Sequence, residues 1–403
     1  MKKFNKNSLI FIFAVGFILV GIWGQFFDNL KANTTLMVSE LFHGNIHSVF
    51  DFKAEIDKVS DSELSYHDSM MDLNSVRENI SGTKIIKKED DLYAKSSNGS
   101  IIAPVKHFIN NLDMEQMVEE IDKLKTVSEA NKAKFLYCAA PRKENYQTLP
   151  ANIVSYDKVN YNNFVSSLKQ KGIPYIDFSS AFSDNQITDD DIFFVTDHHW
   201  KPYSGFVAAA SICKELNALY GFGYNVDYTD INNYHIEHNR DLFLGSYGKK
   251  VGTYFTWHGA DDFDLITPKF ETNMTEEQPF KGRVRSGGFE DTVLYMKNMK
   301  KDYYNVNTYA TYSGGDFRLQ IMKNNMKSHG KKILLIRDSY ACVIAPFLSL
   351  QTSELHICDM RNYDYYVGEK INAEEYIQKI HPDYVLLLYS GAPKLDNDVL
   401  NFF

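Results

Sequence analysis

A chain of 403 residues has room for one large domain or two ordinary ones. Its 44% hydrophobic and 14% aromatic content excludes a disordered polymer. A formal net charge of −9 excludes a general nucleic-acid binder, which needs a basic face to displace phosphate counterions.

Lys2, Lys3 and Lys6 precede a nearly unbroken apolar run, Leu9 to Gly24, which Phe26 and Phe27 extend. At ~1.5 Å of helix rise per residue this run is about long enough to cross a bilayer. No small-x-small cleavage site follows it, so residues 9–27 are expected to remain as a transmembrane anchor. The lysines place the N-terminus in the cytoplasm and the rest of the chain outside the membrane. Residues 28–100 are mostly polar, with "KKEDD" at Lys87–Asp91 and "KSSNGS" at Lys95–Ser100, and read as a stalk and linker.

From about residue 101, helical and extended patterns alternate. Met114, Met117, Val118, Ile121 and Leu124 form one helical stripe, and "KFLYCAAP" (Lys134–Pro141) is a strand ending at a turn. Tyr161 to Phe178 reads as helix, glycine stop and strand. "IFFV" (Ile192–Val195) reads as a strand that empties into Thr196, Asp197, His198, His199 and Trp200. A long helix follows, with Pro202 at its entrance. From about Phe222 to Met326 the alternation pauses in a segment rich in Tyr, Gly and Asp, read as a β-rich or loop insertion. It resumes with the strand "KKILLI", the helix "SYACVIAPFLSL", the strand "ELHICDM", the helix "AEEYIQKI" and the strand "YVLLLYSG". Such alternation predicts an α/β fold, a mainly parallel sheet with helices on both faces. Active groups in such sheets gather beyond the carboxyl ends of the strands.

Cys138, Cys213, Cys342 and Cys358 show no CxxC spacing or metal-ligand pattern; an exported protein could pair them, and buried free thiols suit their strand-like and helix-like surroundings at least as well. "ILLIRDSYA" (Ile333–Ala341) repeats the design of a strand emptying into polar residues, with Ser339 where a helix begins. Asp338 or Ser339 there can be a simple helix cap. Free N–H groups at such a start can also bind an oxyanion. Serine needs a base, and an imidazole base needs a carboxylate to hold its tautomer. Asp197, a histidine and Ser339 supply those three parts.

"TDHHW" followed by "IRDSYA" and "CDMRNY" resembles the DHHW protein family of bacterial envelopes, which is similar to the SGNH hydrolase-like proteins that O-acetylate alginate. The resemblance spans roughly residues 100–395 and implies an SGNH hydrolase-like catalytic domain over 101–403, with the insertion at about 222–326. It assigns Ser339 as nucleophile, His199 as base and Asp197 as its orienter, with His198 at the variable position. The acid and histidine precede the serine, a circularly permuted motif order, and Arg337 stands where ordinary SGNH enzymes carry Gly. Oxyanion or substrate contacts are assigned to the Ser339 N–H, to Arg361 through an Asp-x-Arg match, and to Tyr340 and Trp200. For Arg361 a salt bridge to Asp359 or Asp364 is an equal alternative, and for Trp200 packing at the helix start is favoured over a sugar contact. His198 is read as structural, and "GSYGKKVG" (Gly245–Gly252) and "GGDF" (Gly314–Phe317) as turns.

The expected function is serine-dependent acyl transfer: O-acetylation of an envelope or secreted polysaccharide through acetyl-Ser339. Alternatives are an esterase removing the same groups and an inactive glycan-binding or scaffold protein. No metal or cofactor is expected, and by analogy a multi-spanning membrane acyltransferase would supply the acetyl group. A metal centre of Asp197, His198 and His199, with His235 and His238, is disfavoured because adjacent residues on an extended chain point opposite ways.

Overall fold

The computed structural model describes residues 67–88, 90–393 and 399–403. The expected anchor, 9–27, lies outside the described residues. A first helix, α1 (His67–Ile80), is followed by a three-stranded antiparallel sheet of β1 (Ile85–Lys88), β2 (Asp91–Lys95) and β3 (Ile101–Ile102). Residues from Asn79 onward form one compact unit, which thus takes in part of the expected linker.

Within that unit come α2 (Asn111–Ala130), β4 (Lys134–Ala140), α3 (Asp157–Lys171), β5 (Tyr175–Asp177), α4 (Phe178–Asp184), α5 (Asp189–Ile192) and α6 (Pro202–Tyr220). There follow β6 (Tyr234–Phe243), α7 (Ser246–Val251), β7 (Asp261–Pro268), β8 (Met274–Gln278), β9 (Arg283–Gly287) and α8 (Phe289–Val293). The chain closes with β10 (Leu319–Asn324), β11 (Lys332–Arg337), a 3-10 turn at Ser339–Val343, α9 (Ala345–Ser349), β12 (Glu354–Cys358), α10 (Ala373–Ile380) and β13 (Tyr384–Ser390).

The central sheet runs β5-β4-β13-β11-β12-β10-β8-β9. Its first five strands are parallel, with Ile336 of β11 opposite Leu387 of β13 and Cys358 of β12. The last three join antiparallel. The interval 222–326 therefore does two things: β8 to β10 extend the main sheet, and β6 pairs with β7 as a separate ribbon.

Alternate residues of each parallel strand enter opposite cores, as a pleat requires. Leu136, Cys138, Leu335, Ile357, Leu386 and Leu388 pack with α6 and the aromatic interior of the 222–326 region. Phe135, Tyr137, Leu334, Ile336, Val385 and Leu387 face the other way, against the buried stripe of α2 and residues of α3 and α10. Helices thus cover both faces of a mostly parallel sheet. α3 and α6 end where the sequence stops them, at Gly172 and Gly221, both left-handed. All four cysteines are buried free thiols.

One expected strand is absent. Ile192 closes α5, whose first turn carries Asp189, Asp190 and Asp191, and Phe193 to Trp200 fold back on themselves. Phe194 N donates to the His199 carbonyl, and Lys201 N to that of Ile192. The apolar run reported burial of Phe193 and Phe194 correctly, but not a place in the sheet. Asp197 and His199 sit on this closed loop rather than at a strand end.

Candidate active site

Ser339 lies beyond the carboxyl end of β11, which pairs in parallel with β13 and β12, and there it begins the 3-10 turn. Asp338 is the cap: its Oδ1 accepts from Tyr340 N at 3.0 Å, and its Oδ2 accepts from Ser390 N and Oγ at 2.7 Å. Because Asp338 does the capping, the Ser339 hydroxyl is left for the cavity. His199 Nε2 lies 2.7 Å from Ser339 Oγ, and His199 Nδ1 lies 2.6 Å from Asp197 Oδ1. The carboxylate holds the Nδ1–H tautomer, so that Nε2 can accept from the serine. His199 also stacks on Tyr309, with centroids 4.1 Å apart, and is thereby fixed in plane.

Asp197 is almost fully buried, and burial opposes its charge. The imidazoles of His198 and His199 and hydrogen bonds from His199 and Ser246 N overcome that cost and hold its carboxyl well below the usual carboxylate range. Ser246 N, at the start of α7, donates to Asp197 Oδ2 at 2.5 Å. Gly245 is required there, since a Cβ would stand 2.2 Å from Asp197 Cβ. The segment read as a turn, Gly245–Gly252, therefore holds the helix that orients the acid. Burial and the neighbouring His199 push the His198 imidazole down to about 3, against the pull of Asp197.

The loop bearing Asp197 is gripped on both sides. Asp261 accepts from Val195 N, Thr196 N and Thr196 Oγ1 at 2.6, 2.8 and 2.5 Å. The fully buried Lys143 donates to the carbonyls of Val195 and Asp197 at 2.7 and 3.0 Å. Sequence reasoning missed Lys143, Asp261, Tyr309 and Ser246; the only signal was a lysine flanked by buried chain after β4, which periodicity does not interpret.

The two sequence motifs are cross-braced. Trp200 Nε1 donates to the Tyr340 carbonyl at 2.9 Å, while the Tyr340 hydroxyl donates to the His198 carbonyl at 2.6 Å. Trp200 and Tyr340 are both buried, so they pack the site instead of facing substrate, which corrects their assignment as substrate or oxyanion contacts. α6 meets the serine turn at Gly205, where a Cβ would lie 2.2 Å from Val343 Cγ2.

Arg361 reaches the cavity wall and is also paired: its Nη2 donates to Asp316 Oδ2 at 3.0 Å and to Asp359 Oδ2 at 2.5 Å. The buried Arg337 bonds the other oxygen of Asp316, lies 3.6 Å from Asp359, and donates to the Gly315 carbonyl at 3.1 Å. Arg337 is thus the anchor of a four-charge cluster, of which Asp316 and Arg361 line the same cavity as Ser339. Burial opposes the charge on Asp316, but the two arginines hold its carboxyl down at about 2. Gly315 and Asp316 line the cavity, so "GGDF" is a wall of the site and not an incidental turn. The cavity of about 340 Å³ is lined by Ser339, His199, Ser246, Tyr309, Asp316 and Arg361 among others.

His198 and His199 do not point opposite ways, because the loop is not extended: their rings are 3.8 Å apart. Ligand-type atoms of Asp197, His198 and His199 lie within 4.8 Å of one another. The same atoms are engaged otherwise, with His198 Nδ1 2.9 Å from Ser246 Oγ and both His199 nitrogens in the Asp197–Ser339 relay. His235 and His238 lie on β6, and His238 pairs with Asp264.

The site thus joins a serine turn and a preceding Asp-x-His loop on an α/β fold, a mostly parallel sheet with helices on both faces. Residues 110–229 match the family described as the SGNH hydrolase-like domain of the acetyltransferase AlgX, a stretch that includes Asp197 and His199. A DHHW family protein from Eubacterium siraeum aligns at 18% identity over 79% of this chain and 96% of its own, with a TM-score of 0.57. PatB1 from Bacillus cereus aligns at 22% identity over 75% and 96%, with a TM-score of 0.60, and matches equally in its structure with a sulfonyl adduct. At these identities the likenesses establish the fold. Comparison with curated proteins gives no match. Of the resemblance read from the motifs, the SGNH hydrolase-like part is found in the family match and the DHHW part in the likeness of fold.

Proposed function

We propose that this protein is a serine-dependent acyltransferase that O-acetylates a polysaccharide through an acetyl-Ser339 intermediate. The reading rests on one observation, the continuous relay from Ser339 Oγ through His199 to Asp197 at 2.7 and 2.6 Å. In the first half-reaction His199 Nε2 takes the serine proton as Oγ bonds to the acetyl carbonyl. The donor's leaving group then departs with that proton. In the second, an acceptor hydroxyl gives its proton to His199 and attacks the ester, and Ser339 leaves reprotonated. The negative oxygen of each tetrahedral intermediate falls to the Ser339 N–H, which Asp338 does not cap, with the Arg361 guanidinium at the cavity wall. The acetyltransferase named in the family match supports the acyl group, and an SGNH-like relative holding a sulfonyl adduct supports covalent chemistry in this fold. We place the domain outside the membrane, tethered by residues 9–27, with acetyl brought by a membrane acyltransferase.

An aryl acetate can stand in for the donor, because its leaving group needs little protonation. Mass spectrometry of the quenched protein is expected to find one acetyl group on the Ser339 peptide, absent from Ser339→Ala. Absence of that adduct in the unmodified protein overturns the proposal. Discharge by water alone, unaffected by any added glycan, replaces it with an esterase.

A further inference from the structure

Three tyrosines follow Arg361 in "RNYDYY", and they are used differently. Tyr366 is tied inward: its hydroxyl donates to the buried Asp359 at 2.5 Å, and the Arg318 guanidinium lies 4.9 Å over its ring. It meets Tyr363 and Tyr365 edge-on, at 5.4 and 4.9 Å. Those two stack on each other with centroids 5.1 Å apart and planes 10° from parallel. Tyr363 also has the Arg361 guanidinium 5.0 Å over its ring, so Tyr365, 64% exposed, presents the open aromatic surface. Farther along, Gly368 backs onto Phe280, where a Cβ would stand 2.3 Å from the ring, so the segment is braced at that end too.

This pair borders the reaction cavity. Tyr363 and Arg361 line the cavity that holds Ser339, and Asp316 is shared between it and a depression lined by Tyr365, Tyr366, Val367, Phe280 and Lys281. The two hollows are therefore neighbours, with Asp316 in the wall of both. A flat, rigid, solvent-facing aromatic pair has a large apolar face and few torsions to lose, a surface suited to ligands with an apolar side and a polar rim. A β-linked, equatorially substituted hexopyranose has that form: axial C–H bonds on each face and hydroxyls around the edge. Asp316, Lys281 and Arg361 supply polar groups beside the platform.

Resting on the acyltransferase reading above, we propose that Tyr365, backed by Tyr363, is an acceptor subsite, on which the sugar unit next to the one being acetylated stacks. The acceptor is then an oligomer or polymer of β-linked hexopyranoses, and a monosaccharide reaches Ser339 without this contact.

The test is equilibrium binding by isothermal titration, using the full-length chain carrying Ser339→Ala so that no turnover intervenes. Cellotetraose and chitotetraose are the probes, with glucose and N-acetylglucosamine as single-ring controls. At least one tetrasaccharide is expected to bind more tightly than its monosaccharide. Tyr365→Ala is expected to weaken that binding roughly tenfold, while Tyr365→Phe, which keeps the ring, retains it. Matching melting temperatures of the two variants show that the loss is local. Failure of both tetrasaccharides to bind, or equal binding to Tyr365→Ala, overturns the subsite. Serine acetylation by aryl acetate is scored separately on the unmodified protein, so failure of the acyltransferase reading is recognised independently of this result.

Discussion

At the scale of single residues, the site separates two adjacent histidines by what their nitrogens touch. His199 spans Asp197 and Ser339, whereas His198 Nδ1 faces Ser246 Oγ and its ring packs near Tyr247. His199→Ala is expected to lower acetyl-ester turnover by roughly 10³-fold or more, and Asp197→Asn similarly through loss of the tautomer. His198→Ala should cost far less, and an equal loss with an intact fold would reverse the assignment. Gly245 offers a sharper steric test. An added methyl would meet Asp197 Cβ at 2.2 Å, so Gly245→Ala must displace the acid or α7. A shift of about 1 Å in a catalytic group costs on the order of 10²-fold. Steady-state kinetics on folded Gly245→Ala should therefore show a kcat loss of about that size.

At the scale of elements, the reactive loop has no sheet ladder of its own, so its order comes from side chains reaching in. Asp261 from β7 holds its N–H groups, and Lys143, just past β4, holds its carbonyls. Lys143→Met keeps much of the volume but leaves two buried carbonyls without their donor, each worth roughly 1–3 kcal/mol. Denaturant unfolding should show a stability loss of that order, with a turnover defect despite the absence of Lys143 from the relay. Unchanged melting and unchanged kinetics would mean that the loop is held by Asp261 alone. Burial pushes the Lys143 ammonium down to about 8, which still leaves it mostly protonated, and a donor to both carbonyls, at pH 7.

For the whole molecule, buried groups pull stability in both directions as pH falls: His198 and Asp197 make acid destabilising, whereas Asp157, whose buried carboxyl is pushed up to about 7, opposes them. His198 titrates near 3 when folded against an ordinary 6.5, so between those values the unfolded chain binds the extra proton. Stability then rises with pH across that window and is lost on acidification from about 6.5 toward 3. Asp197, whose carboxyl is depressed in the fold, acts in the same direction at lower pH, below its ordinary 3.8. Melting temperatures measured from pH 7 to pH 4 should therefore be compared with those of His198→Asn, and the unmodified protein is expected to lose more on acidification than the variant. A parallel slope in the variant would assign the acid sensitivity to other groups.

Much of this protein was legible before folding. Stripes such as Met114 to Leu124, the glycine stops at 172 and 221, and the all-apolar runs of β4, β11 and β13 determine a buried, mainly parallel sheet, because those periodicities permit little else. The motif residues Asp197, His199 and Ser339 were also named, since few side chains can make serine a nucleophile. Tertiary structure alone decided how they meet. Ile192 to Val195 looked like a strand because burial and strand pairing leave the same apolar signature, yet its backbone closes on itself. Trp200 and Tyr340 turned inward as a mutual brace, and Gly245, Asp316, Lys143 and Asp261 entered the site from segments whose local patterns say only turn, loop or isolated charge. The physical reason is range: hydrophobic periodicity is written in neighbouring residues. A hydrogen bond between residues 50 to 140 positions apart exists only once the sheet has brought its strand ends together.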